Sequence, residues 1–201
     1  IQSRNEEFDS KMRTVVSCYK EVHLEEQADN MITVSVDEKS GVQAIGSITP
    51  DKPMTPEHPC IRRDPEYKRL GTVNLLAAVD LQDGKIFGLV HERNRSCEFV
   101  SLLQELDAAY DPKYKIRVIL DNLRTHSSKE TCTYLESRPE RFAFVFTPKH
   151  GSWLNYIEGV FSKVARLILK NIRVSSKEEL SQRIIQGIAE LNQNPNKPKF
   201  V

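Results

Sequence analysis

Three acids stand where their spacing and surroundings suit phosphoryl chemistry. Asp37 ends the alternating stretch Ile32-Thr33-Val34-Ser35-Val36, and Asp121 ends the apolar run 116–120. Polar residues follow each, Glu38-Lys39-Ser40 and Asn122-Leu123-Arg124. If the two stretches are neighbouring parallel strands, both carboxylates lie at one sheet edge. Glu158 lies in the periodic segment 153–170, where Leu154, Ile157, Phe161, Val164, Ala165 and Ile168 form one arc at about 100° per residue. Glu158 falls just inside that apolar arc, while Asn155, Gly159, Ser162, Lys163 and Arg166 occupy the opposite one. A carboxylate on a core-facing arc is costly unless it is paired or binds a cation. Mg²⁺ takes oxygen ligands and commonly one or two carboxylates plus substrate phosphate, and a pair of such ions can serve the attacking and leaving oxygens of a displacement. Without a cation, converging carboxylates repel and at least one holds its proton to higher pH. Each acid also has a structural alternative: turn or cap for the aspartates, a salt bridge to Lys or Arg for Glu158.

The elements that must position these acids are legible from periodicity. Phe8, Met12, Val15, Val16, Tyr19 and Val22 predict an amphipathic helix over 4–25. Alternation predicts a strand over 32–37. Residues 38–70 hold five of the ten prolines and predict a long irregular excursion with at most short strands. The runs 73–81 and 85–91, joined by Gln82-Asp83-Gly84, predict a hairpin. Then follow a helix over 99–109, a strand over 116–120, a helix over 129–136, a strand over 142–146, and helices over 153–170 and 176–192, the last opening on the capping sequence Ser176-Lys177-Glu178-Glu179. This order predicts an α/β fold. Its mixed five-stranded sheet has a three-strand antiparallel meander plus two parallel strands, flanked by helices.

The segments Val34-Ser-Val-Asp-Glu-Lys-Ser40, Val118-Ile-Leu-Asp-Asn-Leu-Arg-Thr-His126 and Thr147-Pro-Lys-His-Gly-Ser-Trp-Leu-Asn-Tyr-Ile-Glu158 resemble the three acid-bearing motifs of DDE transposases. The likeness is to bacterial insertion-sequence members of the mariner superfamily, and it runs in order from about residue 30 to the Asn-Pro-Asn-Lys-Pro stop. The acids lie 84 and 37 positions apart, the second interval near that typical of the superfamily. The resemblance implies an RNase H-like domain over 29–201 behind an N-terminal helix or linker over 1–28. It further implies two Mg²⁺ or Mn²⁺ ions held by Asp37, Asp121 and Glu158, nicking at transposon ends, and attack of the freed 3′ hydroxyl on target DNA. Double-stranded DNA is then the partner, with a homodimer as a further expectation. Two departures are visible. Such transposases resemble a design with helix-turn-helix modules ahead of the catalytic domain, whereas here only the helix 4–25 precedes the first strand; the family also commonly has Pro or Gln where Tyr156 stands, on what the periodicity makes the outer arc. A ribonuclease H, a junction resolvase, or a silent DNA-binding relative on the same fold are the alternatives.

Candidate DNA contacts are Arg62, Arg63, Lys68 and Arg69 in the excursion, His91, Arg93 and Arg95 after the hairpin, and Arg124 and His126 beside the second acid. His126 is also a candidate proton shuttle. Lys149, His150, Ser152 and Trp153 precede the Glu158 helix, whose N-terminus favours phosphate, and Trp153 offers a face for stacking or, alternatively, core packing. Glu38 is expected on the opposite strand face from Asp37, and Asp80 is expected to have no catalytic part. The balance of 29 Lys plus Arg against 28 Asp plus Glu, net +1, excludes a strongly basic nucleic-acid-binding body, so any grip on DNA must come from local patches. A composition of 39% hydrophobic and 28% charged residues over 201 positions fits one globular domain and excludes disorder. No apolar run approaches the roughly 20 residues that span a bilayer, and the first residues lack a secretion signal, so the expected location is cytoplasmic and nucleoid-associated. Cys18, Cys60, Cys97 and Cys132 form no CxxC pair, as expected of reduced thiols rather than disulfides or a zinc site; His58 near Cys60 has no second pair to complete one. The start at Ile1 and the end at Phe200-Val201 are expected of a piece of a longer protein.

Overall fold

The computed structural model describes residues 2–24 and 30–198, with side chains from residue 6 onward. The elements are α1 (Gln2–His23), β1 (Met31–Ser47), β2 (Tyr67–Asp80), β3 (Ile86–His91), α2 (Ser96–Ala109), β4 (Lys115–Leu120), α3 (Lys129–Glu136), β5 (Phe142–Phe146), α4 (Ile157–Val164) and α5 (Lys177–Gln193). The five strands form one sheet in the order β3-β2-β1-β4-β5. β1, β2 and β3 pair antiparallel, whereas β4 runs parallel to β1 and β5 parallel to β4. This is the sheet that the order of elements predicts. The end of the first predicted helix at 25 and the domain boundary between 28 and 29 lie outside the described residues.

Side-chain alternation along the strands divides the core between the two faces. Val34, Val36, Leu76, Ala78, Val118 and Leu120 pack with Phe99, Leu102, Leu103 and Leu106 of α2, and Tyr134 and Leu135 of α3 join them. The opposite face gathers Leu75, Ala77, Val79 and Ile119 with Val15, Cys18 and Val22 of α1, Ile157, Val160, Phe161 and Val164 of α4, and Leu180, Ile184 and Ile188 of α5. Each fully buried aliphatic side chain contributes roughly 1.5–3 kcal/mol, so α1 is welded to the sheet. Among the described residues no helix is long and apolar enough to cross a membrane.

Two expectations are corrected. The segment 38–70 is not an irregular excursion throughout: β1 continues to Ser47 and β2 begins at Tyr67, so only 48–66 departs from the sheet. Even there Lys52 bridges Arg62 and Thr55 bridges His58. Irregularities between Lys39 and Val42 and between Gln43 and Ile45 break the period of two, and a bulge shifts every later side chain to the other face. Gly41 sits in the first of these at φ +70° and donates its N–H to Asn74 Oδ1 at 2.9 Å. The second correction concerns the helix expected over 153–170. A single 3₁₀ turn (Ser152–Leu154) is followed by Asn155 in an extended conformation, and α4 begins only at Ile157. It passes at Ala165–Leu169 into a π-helical turn, a local widening often found near functional sites.

Candidate active site

Asp121 follows the last residue of β4, as expected, but Asp37 does not end a strand; it lies within β1. What ends near it is the β1–β4 pairing, whose last aligned couple is Ser35 with Ile119. Two residues beyond that couple stand Asp37 and Asp121: Asp37 faces Asn155 on the α4 side, while Asp121 turns Oδ1 toward His126. Asp37 Oδ1 accepts the Glu38 N–H at 2.8 Å. Burial pushes the Asp37 carboxyl up to about 6, opposed by that N–H and assisted by the charges of Asp121, Glu38 and Glu158. The nearby carboxylates thus act on one another electrostatically, as converging acids must.

Behind this pair lies a contact that spacing alone does not reveal. His126 is fully buried, its ring 4.4 Å from that of Phe99. Its Nδ1 lies 3.2 Å from Asp121 Oδ1 and its Nε2 3.3 Å from Glu38 Oε1. Burial works against charge on the ring, but the hydrogen bonds to Asp121 and Glu38 outweigh it and raise its pKa to about 9. The same bond from His126 holds Asp121 below the usual carboxylate range. The expectation that His126 touches DNA or shuttles a proton to substrate is therefore corrected: it is walled in by Phe99, Glu38 and Asp121. Glu38 does occupy the opposite face from Asp37, where it anchors the imidazole. Asp80 is likewise structural, buried and accepting from the Tyr110 hydroxyl at 2.6 Å and the Gln82 N–H at 2.7 Å.

Glu158 stands in the first turn of α4 and is exposed, not partly buried on an apolar arc. Its carboxylate makes no ion pair among the described residues, so the salt-bridge alternative has no partner there. Asn155, expected on the outer arc, is instead 1% exposed. Its Nδ2 donates to Val36 O at 2.8 Å and lies 3.4 Å from Asp37 Oδ2, and its Oδ1 accepts from the Ser35 hydroxyl. The misplacement of Asn155 has a plain cause: a helical wheel drawn from 153 assigns the wrong phase to residues that precede the true helix start at 157, whereas Glu158, already inside α4, simply lies off its buried stripe. Tyr156, for the same reason as Asn155, is partly buried against the core rather than on an outer arc. No local pattern marks Ser35, Glu38 or Asn155 as site residues; their partners are remote in sequence.

Around the acids, Arg124, Lys149, His150, Ser152 and Trp153 are exposed. Trp153 is 67% exposed, which excludes the core alternative. His150 adopts φ +64° and Asn122 Nδ2 donates to Thr147 O at 2.7 Å, so the 147–151 loop is tied to the end of β4. Lys149 and His150 precede a 3₁₀ turn and Ser152 and Trp153 lie in it, rather than at the N-terminus of α4 as expected. Arg62, Arg63, Lys68, Arg69, Arg93 and Arg95 are exposed as well. Arg63 is engaged by Asp51 and the Asn171 carbonyl, and Arg95 by Glu98. His91 is only partly exposed.

As a donor set, three carboxylates fit a hard divalent cation, which prefers oxygen ligands. Among the described residues no three His, Cys, Asp or Glu side chains are drawn close enough to cage an ion. Burial first, and then the charges of Asp121, Glu38 and Glu158, raise Asp37, and a cation would relieve the repulsion among these acids. Comparison with known proteins places this geometry in a family. Solved structures share the fold: the Mos1 transposase paired-end complex with left transposon end covers 96% of this chain at TM-score 0.58 and 15% identity, the chain spanning 60% of it. The catalytic domain of Mos1 mariner transposase covers 96% at TM-score 0.55 and 14% identity, the chain spanning 91% of it. The fold is therefore RNase H-like, as the motifs led us to expect. An insertion element IS630 uncharacterized 39 kDa protein of Shigella sonnei is 29% identical over 110 residues, 55% of this chain and 32% of that protein. The chain thus spans about a third of this relative. The DDE superfamily endonuclease family matches residues 33–181, a stretch that contains Asp37, Asp121 and Glu158, and the chain belongs to that family.

Proposed function

We propose that this chain is the catalytic domain of a metal-dependent DNA transposase, which cuts phosphodiester bonds at the ends of its element and joins the freed 3′ hydroxyl to target DNA. The observation that carries the reading is the parallel pairing of β1 with β4, last aligned at Ser35 and Ile119, with Asp37 and Asp121 each two residues further on and Glu158 in the first turn of α4, which packs on this sheet. Two relatives support it by what they are: a protein of an insertion element, and a transposase solved on a transposon end.

In this reading Asp37, Asp121 and Glu158 hold two Mg²⁺ or Mn²⁺ ions. When bound, such ions supply a strong nucleophile at neutral pH and stabilise charge on the leaving oxygen. The chain's own part is to orient. His126 and the Leu123 N–H, 2.9 Å from Asp121 Oδ1, occupy that oxygen and leave Oδ2 free. Asn155 steadies Asp37 from the α4 side. Lys149, His150 and Arg124 grip the DNA backbone next to the acids, and Trp153 stacks on a base exposed by strand distortion. A second copy of the chain, working on the paired end, completes the assembly.

The test is nicking of a duplex that carries the element's end, with Mg²⁺, with Mn²⁺ and with chelator. Metal-dependent cuts at the element boundary are expected, and Asp37→Asn, Asp121→Asn and Glu158→Gln should each lower the rate at least about 1,000-fold without unfolding the protein. Cutting of RNA–DNA hybrids or four-way junctions in place of the end would favour another nuclease on this fold. A folded, metal-binding protein that cuts none of these would be a silent DNA-binding relative.

A further inference from the structure

The turn that precedes α4 is held by side chains from two distant elements. Residues 152–156 are not α-helical, so Leu154 O, Tyr156 N and Ile157 N lack helical partners. Buried backbone groups without partners are costly. Tyr19 of α1 donates its hydroxyl to Leu154 O at 2.6 Å and accepts the Tyr156 N–H at 3.1 Å. Ser35 of β1 accepts the Ile157 N–H at 3.1 Å and donates to Asn155 Oδ1. Asn155 closes the circuit on Val36 O and Asp37.

We infer that Tyr19, Ser35 and Asn155 are positioning residues that set Glu158 against Asp37, making α1 a working part of the acid cluster. The inference rests on the reading of the three acids given above. A polar network inside an apolar core is costly unless every member is satisfied, and a satisfied one specifies a single geometry. Here what it specifies is the start of α4, and Glu158 is the residue after Ile157. The α1 face that supplies Tyr19 is locked by Val15, Cys18 and Val22. A displacement of α1 is thereby passed to Glu158 through two hydrogen bonds.

The decisive variant is Tyr19→Phe, which deletes one oxygen and both of its bonds to the turn. Three quantities are measured: Mn²⁺ affinity of the DNA-free protein by electron paramagnetic resonance, amide exchange at 156–158, and kcat and KM for end nicking. The expected result is faster exchange at 156–158, roughly tenfold weaker Mn²⁺ binding, as is usual when a residue behind a metal ligand is lost, and a fall in kcat with KM unchanged. In a Glu158→Gln background Tyr19→Phe should weaken Mn²⁺ binding by less than about twofold, because the two act through one ligand. Ser35→Ala should behave like Tyr19→Phe; if it fails to fold, the Tyr19→Phe result decides. A folded Tyr19→Phe protein with wild-type Mn²⁺ affinity and kcat, beside an Asp37→Asn protein with weakened Mn²⁺ binding, would overturn the inference alone. Unchanged Mn²⁺ binding in both Asp37→Asn and Glu158→Gln would overturn the acid reading and the inference with it.

Discussion

Two ionisable side chains face each other's consequences across the end of β4. Asp37 titrates near 6, above its ordinary 3.8, chiefly because it is buried. A carboxyl raised by folding opposes the folded state once it ionises, so its penalty is absent below about pH 4, grows as pH rises through 6, and is complete above. In chelator, Asp37→Asn should therefore stabilise the protein at pH 7.5 by about 1 kcal/mol, after allowance for partial solvent screening, and by nearly nothing at pH 4. Urea midpoints at the two pH values check this; an equal gain at both would assign the effect to packing instead of charge. His126 has the opposite sign. Its folded pKa of about 9 lies above the ordinary 6.5, so its stabilisation is full below pH 6.5 and is lost as pH rises through 9. His126→Gln leaves Glu38 buried without its partner, which should cost about 3 kcal/mol at pH 6 and much less at pH 9.5. A cost independent of pH would mean that packing on Phe99, not the pair of carboxylates, holds the ring.

At the level of elements, α1 and the β2–β3 turn carry the sharpest expectations. α1 contributes Val15, Cys18 and Val22 to the core and Tyr19 to the turn before α4. Removal of residues 1–24 should lower stability by more than about 4 kcal/mol, the sum of two buried valines and the orphaned turn. Chemical denaturation of the shortened chain checks it, and a loss under 1 kcal/mol would make α1 an appendage. Gly84 holds φ +84° in the turn, and a Cβ there would come 2.1 Å from the Asn196 carbonyl oxygen. Strands β1 and β2 illustrate how sequence patterns fail at this scale. Their predicted lengths stop short because two irregularities reset the alternation after Lys39, whereas β4, β5 and α3, with no such break, match their periodic runs.

Across the whole molecule, the net charge is +1, so on the proposed function DNA is gripped by a local patch beside the acids. The slope of log affinity against log salt should change by about 0.9 when Lys149→Ala removes one phosphate contact. Trp153→Ala should leave that slope alone while weakening binding by roughly 1–3 kcal/mol, since stacking releases no counterions. Filter binding or fluorescence anisotropy over a salt series separates the two, and a slope altered equally by both would refute stacking. Local apolar periodicity carries the order of elements and hence the sheet plan, and the three acid-bearing segments draw the eye to Asp37, Asp121 and Glu158. What surrounds these acids comes from the packed fold. His126 meets Glu38 across 88 positions and Asn155 meets Asp37 across 118. Such partners are chosen by which strands pair and where a helix truly begins, and these are long-range outcomes of packing that no local period encodes.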